Sequence, residues 1–191
     1  MDLRGKRFLV VGGGGLIGSH VIDHLLREDV KEVVVYDNFS RGTSDNLEDA
    51  LKDPRCTIFP HGGDILHRDT LRKAMEAIDG VFHLAAVWLL QCHEYPETAF
   101  DANVRGTFNV IMESVQAKVQ RIVYSSSASV YGDAIETPMN EDHPYNNFTF
   151  YGASKIAGEH FLNARGAAYS HAGAGHRYIH VYGPREDYKG P

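Results

Sequence analysis

Short, unbroken apolar runs alternate along this chain with stretches whose apolar residues recur every three or four positions. Phe8-Leu9-Val10-Val11, Val33-Val34-Val35-Tyr36, Cys56-Thr57-Ile58-Phe59, Gly80 to Ala86 and Arg121-Ile122-Val123-Tyr124 are of the first kind. Such runs read as strands buried on both faces, as in a parallel sheet. Between them, Ser19 to Arg27 spaces Val21, Ile22, Leu25 and Leu26 along one helical face, and Asp69 to Ile78 does the same with Leu71, Met75 and Ile78. Leu47 to Leu51 predicts a short helix and Pro96 to Lys118 the longest one. Phe150 to about Ala168 predicts another, and Arg177 to Tyr182 a sixth strand closed by Gly183-Pro184. Ala164 to Gly175, rich in Ala and Gly, is a poor helix end and is expected to fray.

Strands alternating with helices predict an α/β fold: a doubly wound parallel sheet, strand order 3-2-1-4-5-6, helices on both faces. The first unit sharpens this. Phe8 to Val11 runs straight into Gly12-Gly13-Gly14-Gly15-Leu16-Ile17-Gly18, a helix follows, and the second strand ends on Asp37. That sequence of strand, glycine turn, helix, strand and acid is the Rossmann-type dinucleotide-binding unit. The four glycines fit both G-x-G-x-x-G (Gly13, Gly15, Gly18) and G-x-x-G-x-x-G (Gly12, Gly15, Gly18). Gly12 permits the tight turn, Gly15 leaves room for a pyrophosphate, and Gly18 lets the helix lie close on the sheet. The free N–H groups of the helix start would face the phosphates. Asp37 stands 19 residues past Gly18, near the usual ~20 for a carboxylate that binds the adenosine ribose, which favours NAD over NADP.

With 191 residues the chain suits one sizeable core. A charged content of 23% describes an ordinary globular protein, and a net charge of −6 gives no support to nucleic-acid or anionic-membrane binding. No apolar run is long enough for a membrane span and the first residues do not read as a signal peptide. Two cysteines, Cys56 and Cys92, suggest no disulfide framework, so a reducing cytoplasm is expected. The 11 histidines are scattered and no metal site is expected.

Tyr151 and Lys155 stand four apart on one helix face. A tyrosine phenol, with a pKa of about 10, is roughly three units too weakly acidic to act as a base near neutrality. Closing that gap takes ~4 kcal/mol, which a lysine and a nicotinamide cation could supply between them. Upstream, Ser125-Ser126-Ser127-Ala128-Ser129 runs off the fifth strand, where a hydroxyl could meet a substrate oxygen. No Ser-His-Asp or G-x-S-x-G pattern suggests a hydrolase.

Together these motifs resemble the extended short-chain dehydrogenase/reductases of the nucleotide-sugar epimerase/dehydratase group. The resemblance rests on Val11 to His20, Asp37-Asn38, Gly63-Asp64-Ile65, His83-Leu84-Ala85-Ala86, Asn103 to Thr107, Ser125 to Gly132, Tyr151 to Lys155 and Val181 to Arg185. It implies Ser127, Tyr151 and Lys155 as the catalytic set, Tyr151 being the base and Lys155 the ligand of the nicotinamide ribose. NAD would be held by Gly12, Gly15, Leu16, Ile17 and Gly18, and by Asp37, Asn38, Ser40, Arg41 and Gly42 beyond the second strand. Asp64 and Ile65 would flank the adenine. Leu84, Ala85, Ala86, Asn103, Ser125 and Tyr178 would complete the cofactor site, and Trp88, Ser127, Tyr131 and His180 would meet the sugar nucleotide. Ser127-Ala128-Ser129 lacks the acid that the resembled dehydratases carry there, which points to a 4-epimerase acting through a 4-keto sugar.

The resemblance also implies a homodimer formed through the helices at Pro96–Lys118 and Phe150–Ala168. Val11, Trp88 and His180 depart from the family's Thr, Lys and Asn. Residues 1–191 would be the NAD-binding domain, with the family's C-terminal substrate-binding portion absent or truncated. A cofactor-binding or interaction module without turnover, or a dehydratase or oxidoreductase of the same family, are the alternatives.

Overall fold

The computed structural model describes residues 2–169 and 172–186. Six strands form one parallel sheet: β1 (Arg7–Val11), β2 (Glu32–Tyr36), β3 (Cys56–Ile58), β4 (Gly80–His83), β5 (Arg121–Ser127) and β6 (Ala172–Tyr178). Their order is β3-β2-β1-β4-β5-β6, as the alternation of elements predicts. Order reverses between β1 and β4, and a crevice opens there at the strand ends.

Strand residues alternate between two cores. Phe8 and Val10 pack with Val33, Val35, Ile22 and Leu25 on the face covered by α1 (Leu16–Arg27). Leu9 and Val11 pack on the other face with Val34, Tyr36, Val81, Ile122 and Tyr124. That second face is closed by α2 (Arg68–Ala74), α5 (Thr107–Gln116) and α6 (Phe150–Tyr169), through Leu71, Val110, Ile111 and Leu162. A strand apolar on both sides has to be covered on both, which is why the runs are continuous in the sequence.

Several expectations are corrected. The run expected as the longest helix, Pro96 to Lys118, is three pieces: α4 (Pro96–Ala99), a wider π-helical turn from Phe100 to Gly106, and α5. A short α3 (Leu89–Glu94), not expected, precedes it. The helix expected over Asp69–Ile78 stops at Ala74, and β5 runs on through the serines to Ser127. The sixth strand is Ala172–Tyr178 rather than Arg177–Tyr182, and the helix before it is intact to Tyr169 rather than frayed. Ala-Gly-Ala-Gly carries no apolar signature. Its partners define it: Arg121 through Ser127 of β5 pair in register with Ala172 through Tyr178. Glu159 of α6 then ties it down, receiving Arg177 Nε at 2.9 Å and Nη2 at 2.8 Å.

Candidate cofactor cleft and active site

A cavity of about 800 Å³ opens at the carboxyl ends of β1 and β4. Its floor is the glycine turn. Gly12 has φ +83°, and a Cβ on it would lie 2.5 Å from the Ala85 nitrogen, so the turn and the end of β4 are in backbone contact. A Cβ on Gly18 would collide with the Gly12 carbonyl, so α1 starts directly against the turn. Gly15, by contrast, faces open space: its nearest neighbour to a Cβ would be 3.5 Å away. Gly15 is the N-cap of α1 and offers no side-chain cap, so the N–H groups of the first turn point unpaired toward the cavity. A cradle without side chains in front of a helix start fits a pyrophosphate.

The acid at the end of β2 frames the second half of the site. Asp37 Oδ2 accepts from Gly14 N–H at 2.8 Å and Oδ1 from Phe39 N–H at 2.7 Å. Each oxygen keeps a lone pair for another donor, and Asp37 lies on the cavity wall. A carboxylate there suits a ribose diol and repels a 2′-phosphate.

Of the residues the sequence points to, Gly12, Gly15, Leu16, Ile17 and Gly18 line this cavity. Asp37, Asn38, Ser40, Arg41 and Gly42 form its second wall, and Asp64, Ile65, Leu84, Ala85 and Ala86 its third. Sequence reasoning did not single out Asp45, Asn46, Val87, Ala102 or Glu186, which also line it. Asn46 is recognisable only through its contact: its Nδ2 donates to the Gly14 carbonyl at 2.8 Å, propping the turn.

The remaining residues sit deeper or further along. Asn103, fully buried in the π-helical turn, grips the loop after β4: its Oδ1 accepts from Val87 N–H at 2.7 Å and its Nδ2 donates to the Val87 carbonyl at 2.8 Å. Tyr178 is half-buried and pairs with Ser127 in the sheet register. Trp88 is half-buried under the guanidinium of Arg41. Tyr131 is buried, and its hydroxyl accepts from Arg177 Nη1 at 2.9 Å. His180 is exposed, its ring 6.1 Å from that of Tyr182.

Ser127, Tyr151 and Lys155 do come together. Thr149 caps α6, its Oγ1 accepting from Gly152 N–H at 3.0 Å, so the helix begins just ahead of Tyr151. Burial pushes the Tyr151 phenol above its usual value, while the Ser127 hydroxyl in hydrogen-bonding reach and the charge of Arg41 pull it down. Burial prevails, so the lowered phenol that the Tyr/Lys spacing suggests is not reached in this arrangement. Lys155 is buried, and burial lowers its ammonium to about 8. Its Nζ donates to the Ser125 carbonyl at 2.8 Å and lies 5.5 Å from the Tyr151 ring centroid. The lysine is thus locked to the end of β5 and to the tyrosine at once.

Behind this group lies a second polar layer. Burial would raise the Glu159 carboxyl, but Arg177, Ser126 and Tyr145 outweigh it and hold it at about 2. His83 is fully buried, with Nε2 2.9 Å from Thr107 Oγ1, and burial together with the Lys155 charge lowers it to about 3. It is therefore neutral, and no metal-binding cluster of three or more His, Cys, Asp or Glu occurs among the described residues. No helix among them is long and apolar enough to cross a membrane.

Comparison with known proteins agrees with the fold. The NAD dependent epimerase/dehydratase family matches residues 8–190. A putative UDP-glucose 4-epimerase of Methanocaldococcus jannaschii is 34% identical over 185 residues, covering 95% of this chain and 58% of that protein. The UDP-N-acetylglucosamine 4-epimerase of Methanobrevibacter ruminantium, solved with UDP-N-acetylmuramic acid, superposes with a TM-score of 0.91 at 30% identity over 98% of this chain and 59% of its own. A dTDP-glucose 4,6-dehydratase of Streptomyces venezuelae, solved with NAD and TYD bound, gives 0.88 at 29% identity over 94% and 57%. The chain spans little more than half the length of these relatives.

Proposed function

The chain belongs to the NAD dependent epimerase/dehydratase family, and from that premise we propose that residues 1–191 are the NAD-binding part of a nucleotide-sugar 4-epimerase whose sugar is UDP-linked. The single observation that carries this reading is the convergence of Ser127, Tyr151 and Lys155 at the end of β5, in a fold whose cavity begins on a side-chain-free glycine turn.

The dinucleotide pyrophosphate would rest on the Gly12–Gly18 turn and its adenosine ribose on Asp37. Bound NAD supplies a reversible two-electron acceptor for the sugar C4. With the positive charge of a bound nicotinamide added to that of Lys155, Tyr151 would act as phenolate, taking the proton of the sugar 4-hydroxyl and returning it after the 4-keto sugar has turned over. Ser127 holds the 4-oxygen through both halves. Lys155 supplies positive charge under the phenol and a donor for the nicotinamide ribose. The Ser127-Ala128-Ser129 segment favours epimerisation over dehydration, because Ser129, whose Oγ accepts from the Ser127 hydroxyl at 3.2 Å, offers no carboxyl to expel a 6-hydroxyl.

Incubating the protein with NAD and UDP-glucose tests this. The expected result is formation of UDP-galactose with no net reduction of NAD. A 4-keto-6-deoxy product would make it a dehydratase, and NAD binding without any sugar chemistry would make it a cofactor-binding module. Absence of NAD binding would end the reading.

A further inference from the structure

Arg41, on the wall of the cavity, stacks on Trp88, the residue after the lining Val87. The Arg41 guanidinium carbon lies 4.5 Å from the centroid of the Trp88 ring. Arg41 belongs to the loop after β2 and Trp88 to the loop after β4, at the N-cap of α3, so the pair ties two loops that both contribute walls to the cavity.

Both ends are firmly mounted. The backbone at Gly42 lies against Gly14, where a Cβ would come within 2.5 Å of the Gly14 carbonyl carbon, and Thr43 N–H donates to the Gly14 carbonyl at 3.2 Å. On the other loop, Asn103 holds Val87 by both its N–H and its carbonyl. What can move is the long Arg41 side chain.

The charges around it are unbalanced. Asp37, Asp45, Asp64 and Glu186 line the cavity, and the other lining arginine, Arg185, is paired with Asp23 at 2.8 Å. Arg41 makes no hydrogen bond or ion pair among the described residues. A guanidinium stacked on an indole keeps all its N–H donors free in its plane, and those donors suit a diphosphate.

We propose that Arg41 and Trp88 form a clasp over the cofactor cleft, the indole holding the guanidinium where it covers the diphosphate of a bound dinucleotide and slows its release. Trp88 thus acts on the cofactor through Arg41. The clasp rests on the NAD reading above and adds to it a retention device made from two loops.

Stopped-flow release of NADH, followed by nicotinamide fluorescence, separates the cases in wild type, Arg41→Ala, Trp88→Ala, Trp88→Phe and the double alanine variant. The expected result is release about three- to tenfold faster in Trp88→Ala, with Trp88→Phe in between. Arg41→Ala should be at least as fast as Trp88→Ala, and the double variant no faster than Arg41→Ala, since removing either partner opens the same contact. Unchanged release in Trp88→Ala, or single effects that multiply in the double variant, would overturn the clasp and leave NAD binding standing. Failure of the wild-type chain to bind NADH would overturn both.

Discussion

Gly152 lies so close to Ser129 that a methyl group on it would stand 2.5 Å from the Ser129 carbonyl oxygen, and nearer still to the side chain of Asn147. The first turn of α6 therefore presses against the serine segment after β5. That contact brings Tyr151, one residue earlier, up to Ser127. The glycine is required by what is opposite it. Gly152→Ala should force the helix start away, costing about 1–3 kcal/mol. Thermal unfolding should fall by roughly 3–10 °C, and sugar turnover should drop while NAD affinity, which the proposed function assigns to the glycine turn, holds.

Tyr151→Phe removes the hydroxyl and little else, since the ring already packs among buried groups. Loss of a positioned acid–base group lowers turnover by about 10²–10⁴. The NAD dissociation constant from calorimetry should stay within about twofold, because the pyrophosphate cradle and Asp37 are untouched. Turnover near the wild-type level would mean that another group carries the proton.

Arg177 joins α6 to the edge strand through Glu159 and covers Tyr131 and Tyr145, its guanidinium carbon 4.9 and 5.3 Å from their ring centroids. Arg177→Ala leaves the Glu159 carboxylate buried without its cation, a change of about 3–5 kcal/mol. The urea midpoint should fall accordingly, and amide exchange in β6 should quicken more than in β1. Glu159→Gln keeps the acceptor for Ser126 and Tyr145 and should cost less.

His83 makes stability depend on pH. Its folded pKa of about 3 lies below the ordinary 6.5, so the unfolded chain binds a proton that the folded one refuses. The stability contributed by neutral His83 is complete above about 6.5 and is lost as pH falls toward 3. Glu159 acts in the same direction but only below its ordinary 4.5, so the interval from 6.5 to 4.5 belongs to His83. Across it, urea unfolding of the wild type should lose about 2–3 kcal/mol, and His83→Phe should flatten that slope. Lys155, buried nearby and lowered to about 8, acts at the alkaline end, where stability should rise as pH passes from 8 to 10.5.

How far the sequence could be read follows from where the forces are local. The unit from Phe8 to Asp37 was legible because each part is written in adjacent residues: an apolar run, glycines that only a close turn needs, a spaced helix, an acid. The pairing of Tyr151 with Lys155 was legible for the same reason, being one helical turn. β6 was not, because Ala172 to Gly175 has no pattern of its own and is defined by β5 and by the Arg177–Glu159 pair. The break in the Pro96–Lys118 run was hidden as well, since Asn103 turns inward to satisfy Val87, sixteen residues earlier. Arg41 over Trp88 is a contact across space between two loops, and no spacing announces it. The elevated Tyr151 phenol also had no sequence signal, because its burial comes from tertiary packing.

The most direct measurement is the crystal structure of this chain with NAD. The expected result is pyrophosphate density over the Gly12–Gly18 turn and the nicotinamide C4 beside the Tyr151 hydroxyl, leaving about 3–3.5 Å between reacting atoms once a sugar is placed. A cofactor bound elsewhere, or a nicotinamide ring turned away from Tyr151, would contradict the redox assignment at its root.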